Sequence, residues 1–200
     1  MRLVCIIAAT LCIATVHAAE SPIAGLRWGM SVDAVAAVLG ARTQHLDPPI
    51  DYGAGQARLF AKGVMLGGTA MTAFYQFDGE GRLRQALLER RDAGSTPKAF
   101  TAIERSLRQA LGKPAVTCEK QRGSPRTAER RWSAGATSVH LTFMDFTGAA
   151  MTLDPSKDVF NPGVPSTEYE TFKRRAFPRR IVLRYFPAAE KDLAGPAPCA

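Results

Sequence analysis

Hydrophobic positions along the chain switch between two periods. Val35, Val38 and Leu39 follow Ser31 at spacings of three and four and share one helical face. Ser31 is placed to accept from the free N–H groups of the first turn, Asp33 complements the positive helix end, and Gly40 supplies a left-handed stop. So short a helix is held by packing, with Trp28 before it as a core anchor whose indole N–H seeks a carbonyl. Residues 42–56, with Pro48-Pro49 and Gly53-Ala54-Gly55, read as a loop. Beyond it the period falls to two: 58–66 and 69–77 are strands joined by the hairpin signal Gly67-Gly68, with Met71, Ala73, Tyr75 and Phe77 on one face. Segment 82–90, RLRQALLER, has helix-forming composition, but the Asp78-Gly79-Glu80-Gly81 turn before it argues for a third strand.

The same plan then recurs. Thr96 and Pro97 open a helix in which Phe100, Ile103, Leu107, Ala110 and Leu111 line one face, ended by Gly112 and Pro114. Strands are expected over 115–119, 127–133 and 137–146, the last two joined by Ala134-Gly135-Ala136. In the long polar stretch 154–180, Thr167 and Glu170 form a capping-box pattern for a short helix ending near Lys173-Arg174-Arg175. A closing strand, IVLRYF, is expected over 181–186. The fold class expected is α+β: an antiparallel sheet with two main helices on one face, built as two helix-plus-strands repeats over 26–91 and 95–186.

Residues 1–18 change the picture of address. Arg2, an apolar run from Leu3 to Val16 and small residues at Val16 and Ala18 form the pattern of a cleaved secretory signal, and the run is too short to span a bilayer. Cys12 lacks the small preceding residue of a lipidated cysteine. The organisation expected is signal peptide 1–18, one domain 19–187 and a Pro/Ala-rich tail 188–200 that is unstructured unless Cys199 ties it down, in the periplasm and without a transmembrane segment after cleavage. Cleavage leaves Cys118 and Cys199, which either pair within the chain, pinning the tail, or leave Cys199 in a frayed end or an intermolecular bond.

The net charge of +8 points to anionic envelope surfaces or an acidic protein as partner, and the address disfavours nucleic acid. Lys173, Arg174, Arg175, Arg179, Arg180 and Arg184, six basic residues in twelve positions with Phe177 among them, form the candidate anion- or partner-binding patch. Lys120, Arg122, Arg126, Arg130 and Arg131 form a second group, which merges with the first if the closing strand lies near that hairpin. Ordinary solvated edge charge is the plainer account of both. No catalytic set, metal site or cofactor is expected: His45 and His140 lack ligand spacing, Asp154 and Asp158 lack an EF-hand pattern, and no phosphate-binding loop or nucleophile elbow occurs. A hydrolase using His140 with a carboxylate such as Asp145 is the alternative, and a protein inhibitor another.

Trp28-Gly29-Met30-Ser31 with Val35 and Leu39-Gly40, then Tyr75-Gln76-Phe77-Asp78, Leu111-Gly112-Lys113-Pro114, Trp132 and the closing strand carry a resemblance. The chain resembles a loose group of exported bacterial proteins, many of them uncharacterised and periplasmic, and is similar to the helix-plus-sheet repeats of β-lactamase-inhibitor-protein-like domains and small outer-membrane-assembly lipoproteins. That resemblance implies a non-enzymatic domain that binds proteins or envelope components. It carries over no binding residue, and the absent lipid cysteine separates the chain from the lipoproteins.

Overall fold

The computed structural model describes residues 23–120, 126–147 and 178–194. Its elements are α1 (Val32–Leu39), β1 (Gln44–Asp51), β2 (Gln56–Leu66), β3 (Thr69–Phe77), β4 (Leu83–Arg90), α2 (Pro97–Leu111), β5 (Val116–Lys120), β6 (Arg126–Ala134), β7 (Thr137–Asp145) and β8 (Arg179–Pro187), with 3-10 turns at Gly40–Arg42 and Lys191–Ala194. The strands form one antiparallel sheet in the order β1-β2-β3-β4-β8-β7-β6-β5. Two four-stranded meanders, each preceded by a helix, therefore meet at a central seam. There Ala86 faces Tyr185, Leu87 faces Arg184 and Leu88 faces Leu183.

Both helices start and stop where their caps dictate. Ser31 Oγ accepts from Ala34 N and Thr96 Oγ1 from Ala99 N, while Gly40 and Gly112 close the helices at positive φ. The segment Gly29–Ser31 pairs with the start of β4, Gly29 N donating to Leu83 O at 2.9 Å and Leu83 N to Met30 O at 2.7 Å. The Trp-Gly corner is thus scaffold. Trp28 packs against the core, but its indole N–H donates to the Thr137 hydroxyl at 3.0 Å rather than to a carbonyl, tying the first helix's entry to the β6–β7 turn.

Val35 of α1 and Phe100, Ile103 and Leu107 of α2 share one core with Leu59, Tyr75, Phe77, Leu88, Trp132, Leu141, Leu183 and Tyr185. Segment 82–90 is a strand, as the preceding turn requires: Asp78 Oδ1 accepts from Glu80 N and Arg82 N at 2.9 and 2.8 Å and fixes that turn. Gly67 and Gly68 lie at φ 56° and 73°, the paired left-handed conformation of a two-residue hairpin, with Leu66 opposite Thr69.

The loop expected over 42–56 is corrected: residues 44–51 form β1. Pro48-Pro49 does not prevent this because β1 is an edge strand, where a missing N–H costs little, and the register is interrupted between His45 and Ile50 where the prolines sit. The described part of the tail, residues 188–194, is structured; Cys199, on which the order of the tail is expected to depend, lies outside the described residues. Leu193 is buried, and Arg84 ion-pairs with Glu190, reaches Asp192 at 2.5 Å and donates to Ala54 O at 2.6 Å, holding the turn after β8 on the sheet. The short helix expected near 167–175 lies outside the described residues.

Candidate functional site

The sheet has a second face, away from the helices, and the sequence reasoning did not anticipate its content. Strand alternation puts Val182, Arg184 and Phe186 there from β8, Gln85, Leu87 and Glu89 from β4, and His140, Thr142 and Met144 from β7. Leu87, Met144 and Val182 form a small buried cluster with Tyr52, Phe74 and Phe146 packed against it. Gln76, Gln85, Glu129 and His140 are buried polar groups on the same side. A signal for this existed: Ala86-Leu87-Leu88 and Ile181-Val182-Leu183 are apolar without alternation, the mark of a strand buried on both faces.

The basic residues divide across this sheet. Arg180 and Arg184, four apart on β8, lie on the helix-free face, whereas Arg179 falls at odd parity and pairs with Asp145 at 3.2 Å. Arg126 also approaches Asp145, at 3.5 Å, so Arg126, Asp145 and Arg179 form one cross-strand row. Arg130 is buried toward α2 between Glu104 and Glu119, at 3.1 and 2.5 Å. Arg131 faces the other way and donates to Glu129 at 2.7 Å. Lys120 ends the exposed edge strand β5, which also carries Cys118. Lys173, Arg174, Arg175, Arg122 and Cys199 lie outside the described residues, as do Asp154 and Asp158. The two basic groups do meet, but through single members: Arg131 stands opposite His140, and His140 opposite Arg184.

Arg184 is the unusual member. It is half-buried, makes no hydrogen bond or ion pair among the described residues, and feels Glu129 only through the field. Burial pulls its guanidinium pKa below the ordinary arginine value, Glu129 opposing that only in part. Arg184 lines a cavity of about 130 Å³ with Leu87, Met144, Val182, Arg180 and Gln85. The acidic groups on its walls are already committed: Glu89 to Arg91 at 2.6 Å and Asp192 to Arg84.

His140 and Asp145, five apart on β7, point to opposite faces and do not pair. Glu129 lies 3.9 Å from His140 Nδ1, beyond hydrogen-bond reach, and the ring edge meets Phe186. His45 stands on edge strand β1 opposite Leu59. Among the described residues no three His, Cys, Asp or Glu side chains converge as metal ligands, and no helix is long and apolar enough to cross a membrane.

A second groove, about 290 Å³, runs between α2 and β5–β7 and includes Phe100, Glu104, Arg130 and Asp145. Its charges are matched internally, Arg130 by Glu104 and Glu119 and Asp145 by Arg179. It offers a ligand less than the Arg184 cavity does. Comparison with protein-family models, curated proteins and solved structures finds no match to this chain.

Proposed function

We propose that this protein is an exported, periplasmic binding or interaction module that docks carboxylate or phosphate groups, of an acidic protein or an anionic envelope component, on the helix-free face of its sheet. The observation that carries the reading is Arg184: a guanidinium half-buried beside a cavity without a bonded partner among the described residues. Holding such a group out of water costs free energy, and an incoming anion that forks onto it recovers that cost through charge-assisted hydrogen bonds. Arg180, four residues away on the same face, reinforces the positive field. Export through a signal removed after Ala18 belongs to the same proposal, and the protein isolated from the periplasm then begins at Ala19 by N-terminal sequencing.

The mirrored strand order supports reading the domain as two copies of one helix-plus-meander unit, in keeping with the exported repeat proteins that the sequence resembles. A protein inhibitor is this reading with a different partner. The hydrolase alternative names Asp145 as the carboxylate for His140, and the two, five apart on β7, point to opposite faces.

The test compares Arg180→Gln/Arg184→Gln with Arg179→Gln. In about 50 mM salt the double variant loses at least tenfold in binding to poly-glutamate or phosphatidylglycerol vesicles, and Arg179→Gln keeps it, because Arg179 is matched by Asp145. Binding that is equal in all three proteins rejects the reading.

A further inference from the structure

The cavity and the surface beside it say more about the partner than charge alone. One cross-strand row runs unbroken over the helix-free face: Phe60 opposite Phe74, Phe74 opposite Leu87, Leu87 opposite Arg184, Arg184 opposite His140, and His140 opposite Arg131. Its first half is apolar and its second half basic. Phe60 and Phe74 stack at 6.4 Å, Tyr52 tilts against Phe74 at 6.2 Å, Lys62 Nζ lies over the Phe60 ring at 5.7 Å, and both phenylalanines are half-buried. The boundary between the halves falls between Leu87 and Arg184, at the cavity.

Size narrows the ligand. At about 130 Å³ the cavity is well below the roughly 300–1,000 Å³ of sites that enclose a small molecule. It has room for one side-chain end group such as a carboxylate rather than for a whole small molecule. Small pockets of this kind on a protein surface take a single anchoring side chain. A membrane surface fits less well. It presents phosphates over a plane and is met by dispersed, solvated cations, whereas Arg184 is recessed beside apolar Leu87 and Val182.

We propose that the partner is a protein segment that inserts a glutamate or aspartate side chain into the Arg184 cavity and lays an aromatic side chain on Phe74 and Phe60. This rests on the anion-docking reading above. Arg184 and Phe74 are two strands apart, about 10 Å at ~4.8 Å per strand spacing, within the ~13 Å that four residues of extended chain cover at ~3.3 Å each, and residues an even number of positions apart present their side chains to the same face. The motif is therefore an acidic residue and an aromatic residue four positions apart. The carboxylate reaches Arg184 without displacing an ion pair, since Glu89 and Asp192 are held by other arginines. The aromatic neighbour excludes water around it and strengthens that contact.

The experiment uses the full processed chain and two fluorescein-labelled peptides of equal charge, one carrying Glu-Gly-Ser-Gly-Phe and one Glu-Gly-Ser-Gly-Ser, with phosphatidylglycerol vesicles as a third probe. The Phe peptide binds at least tenfold tighter than the Ser peptide. Arg184→Gln lowers its affinity at least tenfold, and Phe74→Ala brings the two peptides level. Arg184→Lys, which keeps the charge and loses the fork, also falls at least fivefold. Should Arg184→Gln fail to fold, as read by circular dichroism, Arg184→Lys and Phe74→Ala decide the matter. Equal binding of the two peptides, or peptide binding indifferent to Phe74, overturns the acidic-aromatic motif, while Arg184-dependent capture by vesicles or either peptide leaves anion docking standing. If no probe's binding depends on Arg184, both fall.

Discussion

Two arginines, Arg130 and Arg184, belong to the same kind of basic cluster in the sequence and meet opposite fates. Arg130 is buried on the helix side, with Nη2 on Glu119 at 2.5 Å, Nη1 donating to backbone carbonyls of Cys118 and Glu129, and its guanidinium 5.5 Å from the Phe100 ring centroid. Its Nε lies 3.1 Å from Glu104 Oε1 but off hydrogen-bond alignment. Burial lowers the Arg130 pKa, yet the bonds to Glu119 and Glu104 outweigh it and the net shift is upward. Arg130→Ala leaves Glu104 with Arg108, 2.7 Å away, and costs about 1–3 kcal/mol, whereas Arg130→Ala/Glu104→Ala costs less than the two single changes together, as urea unfolding will show. Arg184→Leu, which removes an uncompensated charge, leaves stability unchanged or raises it in the same assay, the mark of a residue kept for binding. The difference between these arginines was legible only as parity. Residues 179, 180 and 184 form one patch in a linear reading, and strand alternation sends the first to the opposite face from the other two. What the linear reading lacked was which carboxylate each guanidinium would find, because Glu104 and Glu119 reach Arg130 from other elements.

At the scale of elements, local signals with a strong physical cause survive into the fold. Caps at Ser31, Thr96, Gly40 and Gly112 and the Gly67-Gly68 turn depend on adjacent residues and are read directly. Strand β1 was missed because its prolines count against a strand in general, and edge position, which excuses them, is a property of the assembled sheet. The helix-free face was missed for a related reason: Leu87 and Val182 signal burial, but what they pack on is set by Tyr52, Phe74 and Phe146 from other strands and loops. One glycine joins local and long-range causes. A Cβ on Gly67 would collide with the carbonyl of Ala102, its carbon only 2.7 Å away, whereas one on Gly68 meets nothing. Both have positive φ, so each Ala substitution carries roughly 1 kcal/mol of backbone strain. Gly67→Ala will cost about 1–3 kcal/mol more than Gly68→Ala in denaturant midpoints, and that excess measures the seating of the β2–β3 turn on α2.

At the scale of the whole molecule, stability has a pH window bounded by groups in different parts of the sheet. Asp145 is largely buried; burial raises its pKa, but hydrogen bonds from Thr147 and Arg179 hold it below the ordinary aspartate value overall. Its contribution is present above the unfolded value of about 3.9 and is lost as pH falls through the lower native one. Burial pushes Tyr75 up to about 12, with a smaller opposing effect of Arg42, and raises Tyr185 further. The unfolded chain releases those protons near pH 10, so stability holds below that value and declines as pH rises toward the native ones. Thermal midpoints against pH will show a plateau falling on both sides, with Asp145→Asn flattening the acid limb and Tyr75→Phe the alkaline one. The β4–β8 seam carries a consequence for how the chain comes to be folded. Strand β4 has its partner 91 positions later at the closest pairing, Arg90 with Ile181, and the intervening chain holds the whole of α2 and β5–β7. A chain that emerges N-terminus first during synthesis therefore exposes a long unpaired strand edge at β4 until residues 179–187 emerge, with the inward-facing apolar side chains of both meanders awaiting that one strand. During that interval an escorting factor, or speed of emergence, must stand in for β8, and chains that stall short of it are the ones that aggregate.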